Sequence, residues 1–228
     1  MDMNKYMRGC VVVLTTLALA GCDGTRHVSF PTQDGGIVYA DVYGEGERAI
    51  VLAHGGRFNK ESWSTQSKAL ADAGFRVVAI DFRGRGRSKG GPGSASRNDG
   101  AEFDVLAAVR YLRRTGAKSV SVVGASFGGW AAGRAAVLAP GEIDRIVLLA
   151  ATVEHPERLT GRKLFILARD DFSGGGVPRL PAVRKQYERA PEPKELVILK
   201  GSAHAQFIFK TDQGERLMRE IVRFLSEP

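Results

Sequence analysis

Six short runs rich in β-branched residues constrain the fold of this chain more than any other feature: AIVLA (49–53), RVVAI (76–80), SVSVV (119–123), RIVLLA (145–150), KLFILA (163–168) and ELVIL (195–199). Their apolarity is continuous rather than alternating, the pattern of strands covered on both faces, as in a parallel sheet. Helical periodicity separates most of them. Ala101, Val105, Val109 and Leu112 share one face, with Gly116 at the C-cap position, and Ser62 to Ala73 ends in the same way at Gly74. Leu217, Ile221, Phe224 and Leu225 make the apolar face of a final helix. Ahead of the six runs, HVSFPTQDGGIVYADVYGEGE reads as two strands around the turn signal Asp34-Gly35-Gly36. The alternation predicts an α/β architecture with crossover connections, a doubly wound, mostly parallel sheet of about eight strands flanked by helices. The runs at 145 and 163 are joined by too few residues to hold a cap domain. One domain over 28–228 accounts for the whole pattern, and 43% apolar content is enough for one sizeable core.

The first residues are of another kind. MDMNKYMRG carries Lys5 and Arg8, and VVVLTTLALA (11–20) follows it. Ten residues span only about 15 Å as a helix, half a bilayer core, so residues 1–21 read as a signal peptide rather than a membrane span. LAGC (19–22) resembles the lipobox of bacterial lipoproteins, which implies cleavage before Cys22 and lipid on that cysteine. Residues 22–27 are then the lipidated cysteine and a short linker, and DGTR reaches at most about 14 Å. The expected location is the extracytoplasmic cell envelope, at the periplasmic face in a Gram-negative cell. Asp23 resembles a signal that keeps some lipoproteins on the inner membrane. With Cys10 removed and Cys22 lipidated, the mature domain has no cysteine left for a disulfide, a thiolate metal site or a nucleophile. The four histidines (His27, His54, His155, His204) lack ligand spacing, so neither metal nor cofactor is expected. The net charge of +8 is spread along the chain except at FRGRGRSKG (82–90). That single basic segment follows a strand in an exported chain and does not read as a nucleic-acid site; attraction to anionic lipid headgroups is the better use of the charge.

Ligands in doubly wound sheets bind beyond the carboxyl ends of the strands. After AIVLA comes His54-Gly55-Gly56-Arg57; after SVSVV comes Gly124-Ala125-Ser126-Phe127-Gly128-Gly129; after KLFILA comes Arg169-Asp170-Asp171; after ELVIL comes KGSAHAQ with His204. A serine, an acid and a histidine therefore lie past strand ends in that chain order. Gly124 and Gly128 give Ser126 the small neighbours that a sharp strand-to-helix turn needs. The turn also puts Ser126 at a helix N-terminus, which favours a developing oxyanion.

These segments resemble the α/β-hydrolase fold family: VLAHGGRFNKESW, DFRGRGRS, GASFGG, ARDD and GSAH occur in that family's order and cover nearly the whole mature chain. They look most like small, lidless, esterase-type or dienelactone-hydrolase-like members. Members with dienelactone hydrolase activity use a cysteine where this chain has Ser126. The resemblance implies Ser126 as nucleophile, His204 as base, and an aspartate that orients His204, with Asp171 favoured over Asp170. It implies an oxyanion hole from the backbone N–H groups of Phe127 and Gly56, Arg57 being the alternative to Gly56. His54 reads as a shaper of the oxyanion loop, His155 as solvated, and Trp63 and Trp130 as helical packing residues. Arg83, Arg85 and Arg87 read as shaping or solvating their loop; Asp81 is an alternative acid at the displaced position some fold members use, with the Asp171 position the default. The function implied is a serine hydrolase cleaving carboxylic ester or related acyl bonds, with a small-molecule or acyl-group substrate and no cofactor. Two rivals stand beside it: an acyltransferase on the same triad, and a non-catalytic envelope lipoprotein that keeps the fold.

Overall fold

The computed structural model describes residues 19–20, 24–96 and 98–227. Cys22 and most of the expected signal segment lie outside the described residues. Eight full strands and one two-residue edge piece join a single sheet: β1 (Leu19–Ala20), β2 (Arg26–Pro31), β3 (Ile37–Tyr43), β4 (Arg48–Ala53), β5 (Arg76–Ile80), β6 (Ser119–Ala125), β7 (Arg145–Leu149), β8 (Arg162–Ala168) and β9 (Lys194–Leu199). Their spatial order is β1-β2-β3-β5-β4-β6-β7-β8-β9. β4 to β9 are mutually parallel, while β2 and β3 pair antiparallel around the Asp34-Gly35-Gly36 turn and β3 runs antiparallel to β5.

The crossovers carry helices α1 (Ser64–Asp72), α2 (Ala101–Arg114), α3 (Phe127–Leu138) and α4 (Leu180–Arg189), and α5 (Gly214–Ser226) closes the chain. A short 3-10 turn over Lys60–Trp63 precedes α1, so the helix expected from Ser62 begins later and Trp63 packs from the turn. Gly74 and Gly116 hold φ of 84° and 99°, the left-handed conformation that ends α1 and α2. The central strands are buried along nearly their whole length, because helices cover both faces of the sheet. β9 departs from that expectation: it is an edge strand, and only Leu199 in it is buried. Between β7 and β8 the chain makes one 3-10 turn, Pro156–Arg158, and no cap is inserted.

Strand order reverses at β4, which has β5 on one side and β6 on the other. Ala53 is in register with Gly124, so the loops leaving β4 and β6 emerge together at this switch point. Gly24 lies at the opposite end: Arg26 pairs with Val42, which pairs with Val78 in the body of β5, so Gly24 is near the amino ends of the parallel strands.

The long loop between β5 and α2 is fastened by a buried ion-pair network. Arg83, 1% exposed, donates from Nε and Nη2 to Asp104 at 2.8 to 3.1 Å, and from Nη1 to Asp34 at 2.7 Å and the Asp99 carbonyl at 2.6 Å. Burial alone would lower the pKa of this guanidinium, but the hydrogen bonds to Asp104 and Asp34 outweigh it and push the pKa up. The sequence suggested a loop-shaping role for Arg83, and the structure places it in the interior. Removing its main partner strands a buried cation, so Asp104→Ala is expected to lower the unfolding free energy by about 3 to 5 kcal/mol in urea titrations.

Candidate active site

Ser126 sits between β6 and α3 with φ 50° and ψ −113°, a conformation that non-glycine residues rarely adopt. Its N–H donates to the Leu149 carbonyl at 2.9 Å, and its own carbonyl accepts from the Trp130 N–H at 3.0 Å, so the turn is held from both sides. The flanking glycines permit it. A Cβ at Gly124 would lie 2.6 Å from the Gly128 carbonyl oxygen, and one at Gly128 would run into the Ala53 carbonyl of β4.

The structure brings the serine, the histidine and one aspartate into a line. Ser126 Oγ is 2.8 Å from His204 Nε2, and His204 Nδ1 is 2.7 Å from Asp171 Oδ2. Asp171 is buried, with 1% of its side chain exposed, whereas His204 keeps 27% open to solvent. Asp170 is exposed, and among the described residues only its backbone N–H is engaged, at 2.9 Å from the Gly201 carbonyl. The short loop after Asp171 closes on itself: the Arg179 N–H returns to the Asp171 carbonyl at 2.9 Å, and Ser173 N–H donates to Val177 at 2.9 Å.

The loop after β4 is pinned by side chains that are remote in sequence. Gln206 accepts the Gly55 N–H at 2.7 Å and donates to Ser62 Oγ at 3.0 Å, tying the histidine loop to the glycine loop. The Gly55 carbonyl accepts from the Phe58 N–H at 2.9 Å and from His54 Nδ1 at 2.8 Å, and Arg85 donates to the Gly56 carbonyl at 2.5 Å. With the Gly55 carbonyl drawn that way, the trans peptide turns the Gly56 N–H to the opposite side. Gly56, Ser126 and Phe127 all line one cavity of about 440 Å³, whose walls include Phe58, Phe172 and Phe207. A second hollow meets it at Ser126, bounded by Trp130, Ala150 and Thr152.

The other candidates separate clearly. His54 is buried and its Nε2 accepts the Phe82 N–H at 3.3 Å, so both ring nitrogens serve the fold. Asp81 lies 3.9 Å from His54 and accepts the Lys60 N–H at 2.9 Å; burial raises its carboxyl above the usual range. It does not reach the Ser126 line. His155 is exposed, 3.3 Å from Glu157. Trp63 is buried, and Trp130, half-buried on α3, packs against the core as read from sequence while also bordering the second hollow. Arg87 stacks on Tyr39, its guanidinium 4.3 Å from the ring centre. Sequence reasoning missed Gln206 and Arg179. Gln206 had one available signal, its position two residues after the histidine on a loop that must face the switch point.

A profile of the alpha/beta hydrolase family matches residues 50–223, well over half of the sequence. The chain belongs to that family. This α/β hydrolase is similar in fold to an esterase of Pyrococcus furiosus, with a TM-score of 0.75 at 19% identity, covering 88% of this chain and 91% of that one. It is also similar to an esterase of Exiguobacterium antarcticum, with a TM-score of 0.71 at 14% identity over 88% of this chain and 99% of the other. By sequence, a non-heme haloperoxidase of Rhodococcus erythropolis is 34% identical over 134 residues, 55% of this chain and 47% of that protein. A non-heme chloroperoxidase of Kitasatospora aureofaciens is 38% identical over 76 residues, 33% of this chain and 25% of that protein. The chain thus spans between a quarter and about half the length of these curated relatives.

The close seat of α3 is the part of the site most sensitive to added volume. Gly128→Ala is expected to cost about 1 to 3 kcal/mol of stability and to displace Ser126. Thermal unfolding and labelling of the serine, measured on the same preparation, check both effects.

Proposed function

We propose that the protein is a lipid-anchored serine hydrolase of the esterase type, cleaving carboxylic ester or related acyl bonds. The observation that carries this reading is the continuous Ser126–His204–Asp171 line, with spacings of 2.8 and 2.7 Å, opening onto a cavity at the sheet's switch point. Ser126 Oγ attacks the acyl carbon while His204 Nε2 takes its proton, and Asp171 orients the imidazole and stabilises its cation. The oxyanion that forms accepts from the backbone N–H groups of Phe127 and Gly56, aided by the N-terminus of α3. His204 returns the proton to the departing alcohol. Water then adds to the acyl-enzyme, giving its proton to His204, and Ser126 Oγ recovers that proton as the acid leaves. An alcohol or amine in place of water gives acyl transfer through the same intermediate. With no cap over the mouth, short or surface-exposed acyl groups are the substrates that fit.

A fluorophosphonate probe tests the nucleophile directly. Wild-type protein should label, with labelling abolished in Ser126→Ala and weakened in His204→Ala. On a short-chain ester, Ser126→Ala and His204→Ala are each expected to lower kcat by about 10⁶-fold and Asp171→Asn by about 10⁴-fold. Asp170→Asn should leave the rate as it was. A folded wild-type protein that neither labels nor turns over a broad ester panel would sink the reading.

The anchor is read from LAGC, with Cys22 as the lipidated residue, and no helix among the described residues is long and apolar enough to cross a membrane. Growth of expressing bacteria with an alkyne-tagged fatty acid should tag the wild-type chain and leave Cys22→Ser untagged. Equal tagging of both would discard the anchor.

A further inference from the structure

Arg179 closes the Asp171 loop directly before α4 and lines both hollows that meet at Ser126. About a third of the side chain, 32%, is exposed. Nε lies 3.4 Å from Asp171 Oδ1 but outside hydrogen-bond geometry, and both atoms are buried without a hydrogen-bond partner. Asp171 is the ion-pair partner of Arg179 through Nε, while its other oxygen is engaged by His204. Among the described residues, the Arg179 side chain makes no hydrogen bond. Arg83, by contrast, has acceptors at every nitrogen of its fork.

With its one ion pair made through Nε, the planar fork of Arg179 is left to solvent, and such a fork matches a carboxylate with two parallel hydrogen bonds. The surroundings suit such a ligand. Arg57 stands exposed on the rim of the larger cavity, and no Asp or Glu lines either hollow among the described residues. The remaining walls offer Phe58, Phe172 and Phe207, apolar cover for a short carbon chain.

We propose that Arg179 is a carboxylate-binding group, so that the acyl chain transferred to Ser126 ends in a carboxylate, as in half-esters of short dicarboxylic acids. This rests on the hydrolase reading for the acyl step, but the anion site itself can be tested without turnover. For the full-length protein, kcat/KM for mono-4-nitrophenyl glutarate should exceed that for 4-nitrophenyl valerate by about tenfold or more. Arg179→Gln should bring that ratio close to one, mainly by raising KM for the charged ester, while Arg179→Lys keeps part of the preference. Titration of Ser126→Ala with glutarate by calorimetry should show binding that is weakened by salt and lost when Arg179→Gln is added. A wild-type ratio near one, a ratio unmoved by Arg179→Gln, or no glutarate binding to Ser126→Ala would each overturn the proposal. If no ester is turned over at all, the hydrolase reading fails, and the glutarate titration still decides the subsite.

Discussion

The contact between Gly128 and the Ala53 carbonyl is the constraint on which the rest of the site depends. Because no side chain stands between them, α3 can descend onto the edge of β4 and its first turn can point into the switch-point crevice. Gly124 meets the same helix from β6, so the chain must reverse within one residue, and that residue is Ser126 with a positive φ. Strain in a non-glycine residue of this kind costs of order 1 to 3 kcal/mol and persists only where the surroundings over-determine it. Here the hydrogen bonds at the Ser126 N–H and carbonyl do so.

The other loops arrive at the same place because parallel strands all end on one side, but arrival alone does not set distances of under 3 Å. That is the task of polar pins. Gln206 links the loop carrying His204 to the Gly55 backbone, and Arg85 holds the next carbonyl, so neither the base nor the glycine loop can drift independently. The buried Arg83–Asp104 pair acts one layer farther out, fixing the loop from which Arg85 projects.

How much of this was legible in the sequence follows from the range of the interactions. The strands could be read because β-branched continuity is a local pattern, and Ser126, Asp171 and His204 could be placed because each lies within a few residues of a strand end. The helix stops at Gly74 and Gly116 are local as well. The choice between Asp170 and Asp171 came from the resemblance; in the structure it is Asp171 whose carboxylate meets His204. Gln206 had only its place two residues after His204 as a signal, and Arg179 had none: their partners, Gly55 and the space around Ser126, are supplied by chain segments 151 and 53 residues away. The burial of Arg83 was hidden for the same reason, since Asp34 and Asp104 flank it only after β2, β3 and α2 have packed. The edge position of β9 was also invisible, because its sequence is as apolar as that of the central strands.

The position of Gly24 has a consequence for how an anchored form works. Gly24 lies near the amino ends of the parallel strands, whereas Ser126 stands beyond their carboxyl ends, about six residue rises or roughly 20 Å farther along. If Cys22 carries the lipid proposed for it, the attachment would lie on the Gly24 side of the sheet, with Ser126 on the far side. A molecule anchored so would not graze on the bilayer that carries it. Anchored as proposed, the domain would face the open compartment and meet dissolved or oppositely tethered substrates at a rate set by their three-dimensional diffusion.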